Sequence, residues 1–445
     1  MGLIFLIIFA LAEIALVVLT FTRFGEKAAW LKNRAVIRTA EAALMLGIIL
    51  VPATNLKWRF FFAMGILAVR FLFAGIMWLI KRNKATGKKK KAGSVVNCIV
   101  SIMLIAFALV PSFIFANYGG LPTTGEFNVG TTDAILVDES RPDTFKNDGS
   151  FREVPVHFFY PENAEGSFPL VVFSHGAFGY YQSNFSTYRE LASNGYVVVA
   201  LDHPHHAFFT KDTDGKIITV DQDFINEAMV IGGGDDVSNE EVYEGTKSWM
   251  ELRIADGNFV LDTIEAAKKS GTLGTAWHSE NSDAVLNVLA MTDTDKIGCM
   301  GHSLGGATGI ALGRERDDID AVIDFDGTVL GEVVEIKNGK CVPNDTPYPV
   351  PVLVFSNGEN VEEGAYVNIT GDFVNNAKDG KLVTFKHAGH MDFTDLPLLS
   401  PFLGSMLGHG NIDTKECMTK TNEITLEWLN YYLKNEGTLD FQAQY

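Results

Sequence analysis

Four long apolar runs stand in the first 115 residues: Met1–Phe21, Thr39–Thr54, Phe60–Ile80 and Val95–Phe115. A membrane-spanning helix needs about 20 predominantly apolar residues. Three of the four runs reach that length, while the second is short and opens on Arg38 and Glu41. Charge changes at the same boundary. Up to Asn117 there are 15 Lys and Arg against 3 Glu; from Tyr118 onward there are 21 against 51 acidic residues. A basic, apolar quarter and an acidic remainder predict two objects: a membrane domain over 1–117 with about four transmembrane helices, and a second domain over 118–445. The first run has no basic segment before it and is long, so it reads as a span rather than a secretory signal.

The connecting loops predict the orientation. Arg23, Lys27, Lys32, Arg34 and Arg38 fall between the first two runs, and Lys81, Arg82, Lys84 and Lys88–Lys91 between the last two. The middle loop holds only Lys57 and Arg59, so alternating sides carry 12 and 2 positive charges. By the positive-inside rule, the N-terminus and everything after Phe115 lie outside. The expectation is an integral plasma-membrane protein with its second domain extracytoplasmic. Glu13, Glu41 and Arg70 fall in or near the spans and read as interhelical ion pairs more readily than as a transport path.

The second domain carries too much negative charge to bind nucleic acid, which needs a basic face. Its apolar runs are short and β-branched or aromatic: Ala134–Val137, Val154–Tyr160, Leu170–Phe173, Val197–Leu201, Lys296–Met300, Ala321–Phe325, Val350–Phe355 and Lys381–Phe385. Helical patterns separate several of them, at Tyr188–Ser193, Lys247–Lys269, Leu304–Arg314, Glu362–Asn376 and Glu423–Lys434. Apolar strands spaced by helices predict an α/β fold, a mostly parallel sheet with helices on both faces. The first two strands are expected to pair antiparallel. The acidic, Gly-rich stretch from Phe208 to Gly245 reads as an inserted loop or partial lid.

Gly301-His302-Ser303-Leu304-Gly305 has the form G-x-S-x-G, directly after an apolar strand and directly before small residues entering a helix. A serine at such a turn sits on a strained backbone, its hydroxyl above the sheet and its neighbours necessarily small. The hydroxyl needs a base to become a nucleophile, and in this arrangement an acid and then a histidine follow in the chain. Asp326, before Gly327 at a strand end, is the preferred acid, with Asp324 the alternative. His390 is the preferred base because Ala388-Gly389 permits a tight turn before it; His387 lies nearer the strand. An oxyanion hole needs two N–H donors. The loop Ser174-His175-Gly176-Ala177 after an early strand offers Ala177, and the elbow offers Leu304, with His175 supporting the loop.

Asp202-His203-Pro204-His205-His206 suggests a metal, but consecutive histidines point apart on most backbones, so no metal is expected. Four cysteines are too few for a disulfide framework, although Cys341 and Cys417 leave one bridge open.

These strings resemble the α/β-hydrolase superfamily and, more narrowly, the platelet-activating-factor acetylhydrolase (lipoprotein-associated phospholipase A2) family. The matching residues are Val154-Pro155-Val156 with Tyr160-Pro161, Phe173–Gly176, Gly301–Thr308, Ile323–Gly327 and His390–Asp395. The resemblance implies Ser303 as nucleophile, His390 as base, Asp326 as acid and Ala177 as an oxyanion donor. It also implies hydrolysis of short or oxidised acyl esters, often from phospholipids, with no cofactor. The membrane domain departs from the secreted pattern, and the stretches 208–246 and 395–410 match nothing that sets acyl specificity. A carbohydrate acetyl esterase, a peptidase and a non-catalytic membrane sensor or scaffold are the competing readings.

Overall fold

Residues 2–233, 237–358 and 369–445 are described by the computed structural model. Two units emerge: Met1–Gly119 with Pro397–Met406, and Gly120–Leu396 with Leu407–Tyr445.

The first unit contains helices α1 (Gly2–Leu19), α2 (Lys27–Leu50), α3 (Phe61–Lys81), α4 (Lys91–Ala108) and the short α5 (Val110–Ile114). Three stretches, Gly2–Leu19, Lys57–Lys81 and Lys91–Ala108, are long and apolar enough to cross a membrane. The number is three rather than the expected four. The second run forms only the C-terminal part of α2, whose first 15 residues carry Lys27, Lys32, Arg34, Arg38 and Glu41. The fourth run stops at Ala108 because Pro111 starts a new turn; a proline has no N–H to continue the ladder. Arg38 pairs with Glu13 at 2.7 Å and with Glu41 at 2.8 Å, and Arg70 also pairs with Glu13. These ions join α1, α2 and α3. Leu3, Ile7, Leu11, Val69, Leu72 and Ile76 remain exposed on the outside, as lipid-facing residues would. The segment Pro397–Met406 is held in this unit by the Ala116 N–H donating to Leu399 O and the Ser400 hydroxyl donating to Ile114 O, each at 2.8 Å. It leaves Phe402 and Met406 exposed.

The second unit is built on a nine-stranded sheet. Its strands in chain order are β1 (Val129–Pro142), β2 (Phe151–Pro161), β3 (Phe168–Ser174), β4 (Val197–Leu201), β7 (Trp277–His278), β8 (Thr292–His302), β9 (Ile319–Phe325), β12 (Val352–Ser356) and β13 (Gly380–Thr384). Two small hairpins, β5–β6 (Phe209–Lys211, Ile217–Thr219) and β10–β11 (Val333–Lys337, Lys340–Pro343), lie outside it. The spatial order is β13-β12-β9-β8-β3-β4-β2-β1-β7. From β4 to β13 all pairs are parallel, while β1, β2 and β4 pair antiparallel. The mostly parallel sheet follows the expectation, including the antiparallel first pair.

Alternation along each strand supplies two cores. Leu170 and Val172 of β3 enter one cluster and Val171 and Phe173 the other. The first is covered by α8 (Asn239–Ser270), α9 (Ser282–Met291) and α10 (Leu304–Glu315), through Val260, Leu261, Val285 and Ile310. The second is covered by α6 (Phe185–Ser193) and α12 (Thr414–Leu429), through Tyr188, Leu191, Ile424 and Trp428. Two further helices are α7 (Gln222–Gly233) and α11 (Thr370–Asn375).

The stretch 208–245 is more ordered than expected. It contains the β5–β6 hairpin, α7 and the first turns of α8, with 234–236 outside the described residues. α8 begins eight residues before Lys247 because Ser238 and Glu241 form a capping box, which satisfies two N–H groups at a helix start. Of the helix expected over Glu362–Asn376, residues 362–368 lie outside the described residues, and α11 is the part seen.

Candidate active site

β8 runs into Ser303 and α10 leaves it. Ser303 has φ 56° and ψ −126°, a strained conformation for a residue with a side chain. The turn closes so tightly that a Cβ at Gly305 would meet Ser174 O at 2.0 Å. Leu304 occupies the first position of α10, so its N–H has no partner within the helix. Gly176 presses against the elbow from β3: a Cβ there would lie 3.2 Å from Ser303 Cβ and 2.9 Å from His302 Nδ1. Neither the Ala177 nor the Leu304 N–H donates to a protein acceptor among the described residues.

Asp326 follows β9 with φ 52°. Its carboxylate accepts the Asn357 N–H at 2.8 Å through one oxygen and meets His390 Nδ1 at 2.7 Å through the other. The His390 ring lies 4.5 Å from that of His302, the residue before Ser303, and the His390 carbonyl takes the His302 Nε2 at 3.0 Å. Burial, reinforced by His390, pushes the His302 imidazole well below its usual range. Ser303 Oγ makes no hydrogen bond among the described residues.

Asp324, the alternative acid, makes no hydrogen bond to His390 among the described residues. One oxygen accepts the Gly327 N–H at 2.9 Å; the other is buried without a partner. Burial and the neighbouring Asp326 raise its carboxyl well above the usual carboxylate range. His387 is not the residue that meets Asp326. Its carbonyl accepts the Asn411 N–H at 2.7 Å. Asp392 fastens the histidine loop by accepting the Gly389 and Gly410 N–H groups, each at 2.8 Å, together with His409 and Thr414.

A buried polar network runs from Ser174, at the end of β3, to α8. Ser174 Oγ meets His203 Nε2 at 2.9 Å, and His203 Nδ1 meets Asp256 Oδ2 at 2.9 Å. This Ser-His-Asp chain is buried at every member. Burial and Arg253 pull the His203 imidazole down to about 4, against the pull of Asp256. Burial works to raise the Asp256 carboxyl, but Arg152, at 2.7 Å, and His203 outweigh it and hold it below the usual range. The three histidines after Asp202 diverge. His203 joins this network, His205 stacks on Phe145 at 4.3 Å, and His206 stacks on Phe224 at 3.9 Å. No group of metal-ligating side chains gathers among the described residues. Cys417 is a buried thiol and Cys341 lies on β11; no disulfide joins them.

Nothing in the sequence pattern marks Arg253 and Asp256 as members of a buried network. They stand three apart on α8, where an Arg-x-x-Asp spacing reads as a solvent-facing pair, yet both are fully buried. Apolar residues surround the elbow. Phe224, Trp249, Met250 and Leu304 pack together, with Ala177 and Phe178 at their margin.

The platelet-activating factor acetylhydrolase, isoform II family matches residues 149–442. The platelet-activating factor acetylhydrolase of Cavia porcellus is 25% identical over 309 residues, 65% of this chain and 63% of that protein. The Gallus gallus protein of the same name is 25% identical over 300 residues, 61% of this chain and 64% of its own length. The chain thus spans less than two thirds of either relative. A ferulic acid esterase from Streptomyces cinnamoneus shares the fold with a TM-score of 0.53 at 20% identity, over 72% of this chain and 95% of its own.

Proposed function

The chain belongs to the platelet-activating factor acetylhydrolase isoform II family, and from that premise we propose that it is a membrane-anchored serine ester hydrolase for short acyl esters of amphiphilic lipids. The observation that carries the reading is the 2.7 Å contact of Asp326 with His390, beside a strained serine elbow with two N–H groups open to an oxyanion.

His390 Nε2 takes the proton of the Ser303 hydroxyl as Oγ attacks the ester carbonyl. The negative oxygen that forms is held by the Ala177 and Leu304 N–H groups. Asp326 orients His390 through Nδ1 and stabilises the imidazolium. The tetrahedral centre collapses, the C–O bond breaks, and the imidazolium gives its proton to the leaving alkoxide. Water then attacks the acyl-serine with His390 as base, releasing the carboxylic acid and restoring Ser303. The apolar residues around the elbow suit a short acyl chain. The spans of the first unit serve as the anchor, and their loop charges favour an extracytoplasmic catalytic unit.

A fluorophosphonate probe in membranes tests the reading, wild type against Ser303→Ala. Labelling lost in the variant, with hydrolysis of p-nitrophenyl esters falling from acetyl to decanoyl, is expected. Folded wild-type protein that does not label refutes it and moves weight to a membrane sensor or scaffold.

A further inference from the structure

Gly176 O is the most heavily solicited carbonyl near the elbow. It accepts His175 Nδ1–H at 2.7 Å, the Gly179 N–H at 3.1 Å and Arg253 Nη2–H at 3.3 Å. The other end of that same peptide unit is the Ala177 N–H. Arg253 also donates to the carbonyl of the preceding peptide, His175 O, and through Nε to His206 Nδ1 at 3.3 Å. All three nitrogens of one guanidinium are therefore used within the strand-end loops, two of the acceptors being consecutive carbonyls of the oxyanion loop.

The charge itself needs an explanation. Arg253 is 0% exposed, and no carboxylate lies in ion-pair range of it among the described residues. Asp256, one turn along α8, is occupied by Arg141 at 2.9 Å, Arg152 at 2.7 Å and His203 at 2.9 Å. Burying a cation without its own counterion costs stability. Such a cost is expected where the charge serves a reaction that develops negative charge. A cation on the carbonyl end of a peptide draws electron density toward oxygen and makes the N–H a stronger donor. Two adjacent carbonyls gripped by one planar fork also fix the peptide plane, and with it the direction of the N–H.

We propose that Arg253 is a positioning residue of the oxyanion hole: it holds and polarises the Gly176–Ala177 peptide so that the Ala177 N–H meets the negative oxygen of the tetrahedral intermediate. The inference rests on the reading of Ser303 as nucleophile and Ala177 as donor.

The test uses the full-length protein in detergent, with Arg253→Met, Arg253→Lys and Arg253→Ala. Wild type must first lose fluorophosphonate labelling on Ser303→Ala; if it does not label at all, the nucleophile reading and this proposal fall together. With labelling established, Arg253→Met is expected to lower kcat on p-nitrophenyl acetate by about 30- to 300-fold, with KM changed less than about threefold. Affinity for a trifluoromethyl ketone, which forms a charged hemiketal, should fall in step with kcat/KM. Arg253→Lys keeps the charge but not the fork and should fall between. Millimolar guanidinium should restore part of the Arg253→Ala activity. If the Met variant does not fold, the Lys variant at wild-type melting temperature and the guanidinium rescue decide. A kcat within about twofold of wild type, a loss confined to KM, or a loss that follows only the folded fraction without rescue overturns the proposal while leaving Ser303 as nucleophile.

Discussion

Asp326 reaches His390 at 2.7 Å although Asp324, two residues earlier at the end of the same strand, does not. The two carboxyls differ in their partners: Asp326 meets the Asn357 N–H and His390, Asp324 the Gly327 N–H. Burial and the neighbouring Asp326 raise the Asp324 carboxyl well above the usual carboxylate range, and its hydrogen bond goes to the Gly327 N–H, so it does not orient the imidazole. Asp326→Asn is expected to lower kcat about 10³- to 10⁴-fold, because His390 loses its orienting acceptor and takes the wrong tautomer. Asp324→Asn keeps an oxygen that can accept the Gly327 N–H and should change kcat less than about fivefold. Steady-state kinetics on one short ester separate them, and equal losses would assign the acid wrongly.

Gly176 gives a steric test of the same site. A Cβ there meets His302 Nδ1 at 2.9 Å and Ser303 Cβ at 3.2 Å. Something must shift, and what shifts is the elbow or the loop that carries Ala177. Gly176→Ala is expected to cost about 10- to 100-fold in kcat while the protein still folds. Gly305→Ala, by contrast, drives a Cβ to 2.0 Å from the backbone Ser174 O and should prevent folding. Melting curves beside kinetics check both.

Four buried imidazoles set an acid limit. His175 and His302 are pushed well below the usual range by burial, His203 is pulled down to about 4, and His206 to about 2, burial again leading. Each binds its proton more readily once unfolded, where its pKa is about 6.5. Stability therefore rises with pH through this window and is lost as pH falls below about 6.5, before ordinary carboxylates titrate. Denaturant midpoints between pH 7 and pH 4.5 should fall steeply, with an uptake of up to about four protons on unfolding. A flat profile across that window would contradict the burial of these rings.

Local patterns were legible in the sequence, and long-range polar partnerships were not. The parallel strands announced themselves because both faces are buried, so β3 and β4 read as unbroken apolar runs. The elbow was legible because strand, glycines and helix adjoin in the chain. α2 extends beyond its apolar run because its helical structure continues through charged residues that pair inside the unit, as Arg38 does. The start of α8 carried its signal in Ser238 and Glu241, hidden by the acidic, Gly-rich company around it. Arg253 was invisible for a different reason. Its acceptors, the carbonyls of His175 and Gly176, lie 78 and 77 residues away, and no period or spacing encodes a side chain seeking a distant backbone.

The buried ions of the first unit rank its residues. Glu13 faces two arginines, Arg38 at 2.7 Å and Arg70, whereas Arg38 retains Glu41 at 2.8 Å when Glu13 is removed. Glu13→Ala strands Arg70 without its carboxylate and halves the compensation of Arg38. Removing one partner of a buried pair costs about 3–5 kcal/mol, and Glu13 is 1% exposed. Arg70→Leu leaves Glu13 still paired with Arg38 and exchanges a half-paired cation for an apolar side chain, so its cost should be well under that. Glu13→Gln, which keeps hydrogen-bond acceptance without the charge, should fall between. Unfolding in mixed micelles, read on the helical signal of residues 1–119 expressed in the full chain, is expected to give the order Ala, Gln, Leu from least to most stable. If Arg70→Leu is as damaging as Glu13→Ala, the Arg70–Glu13 pair matters as much as both pairs of Glu13 together, and the ranking is wrong.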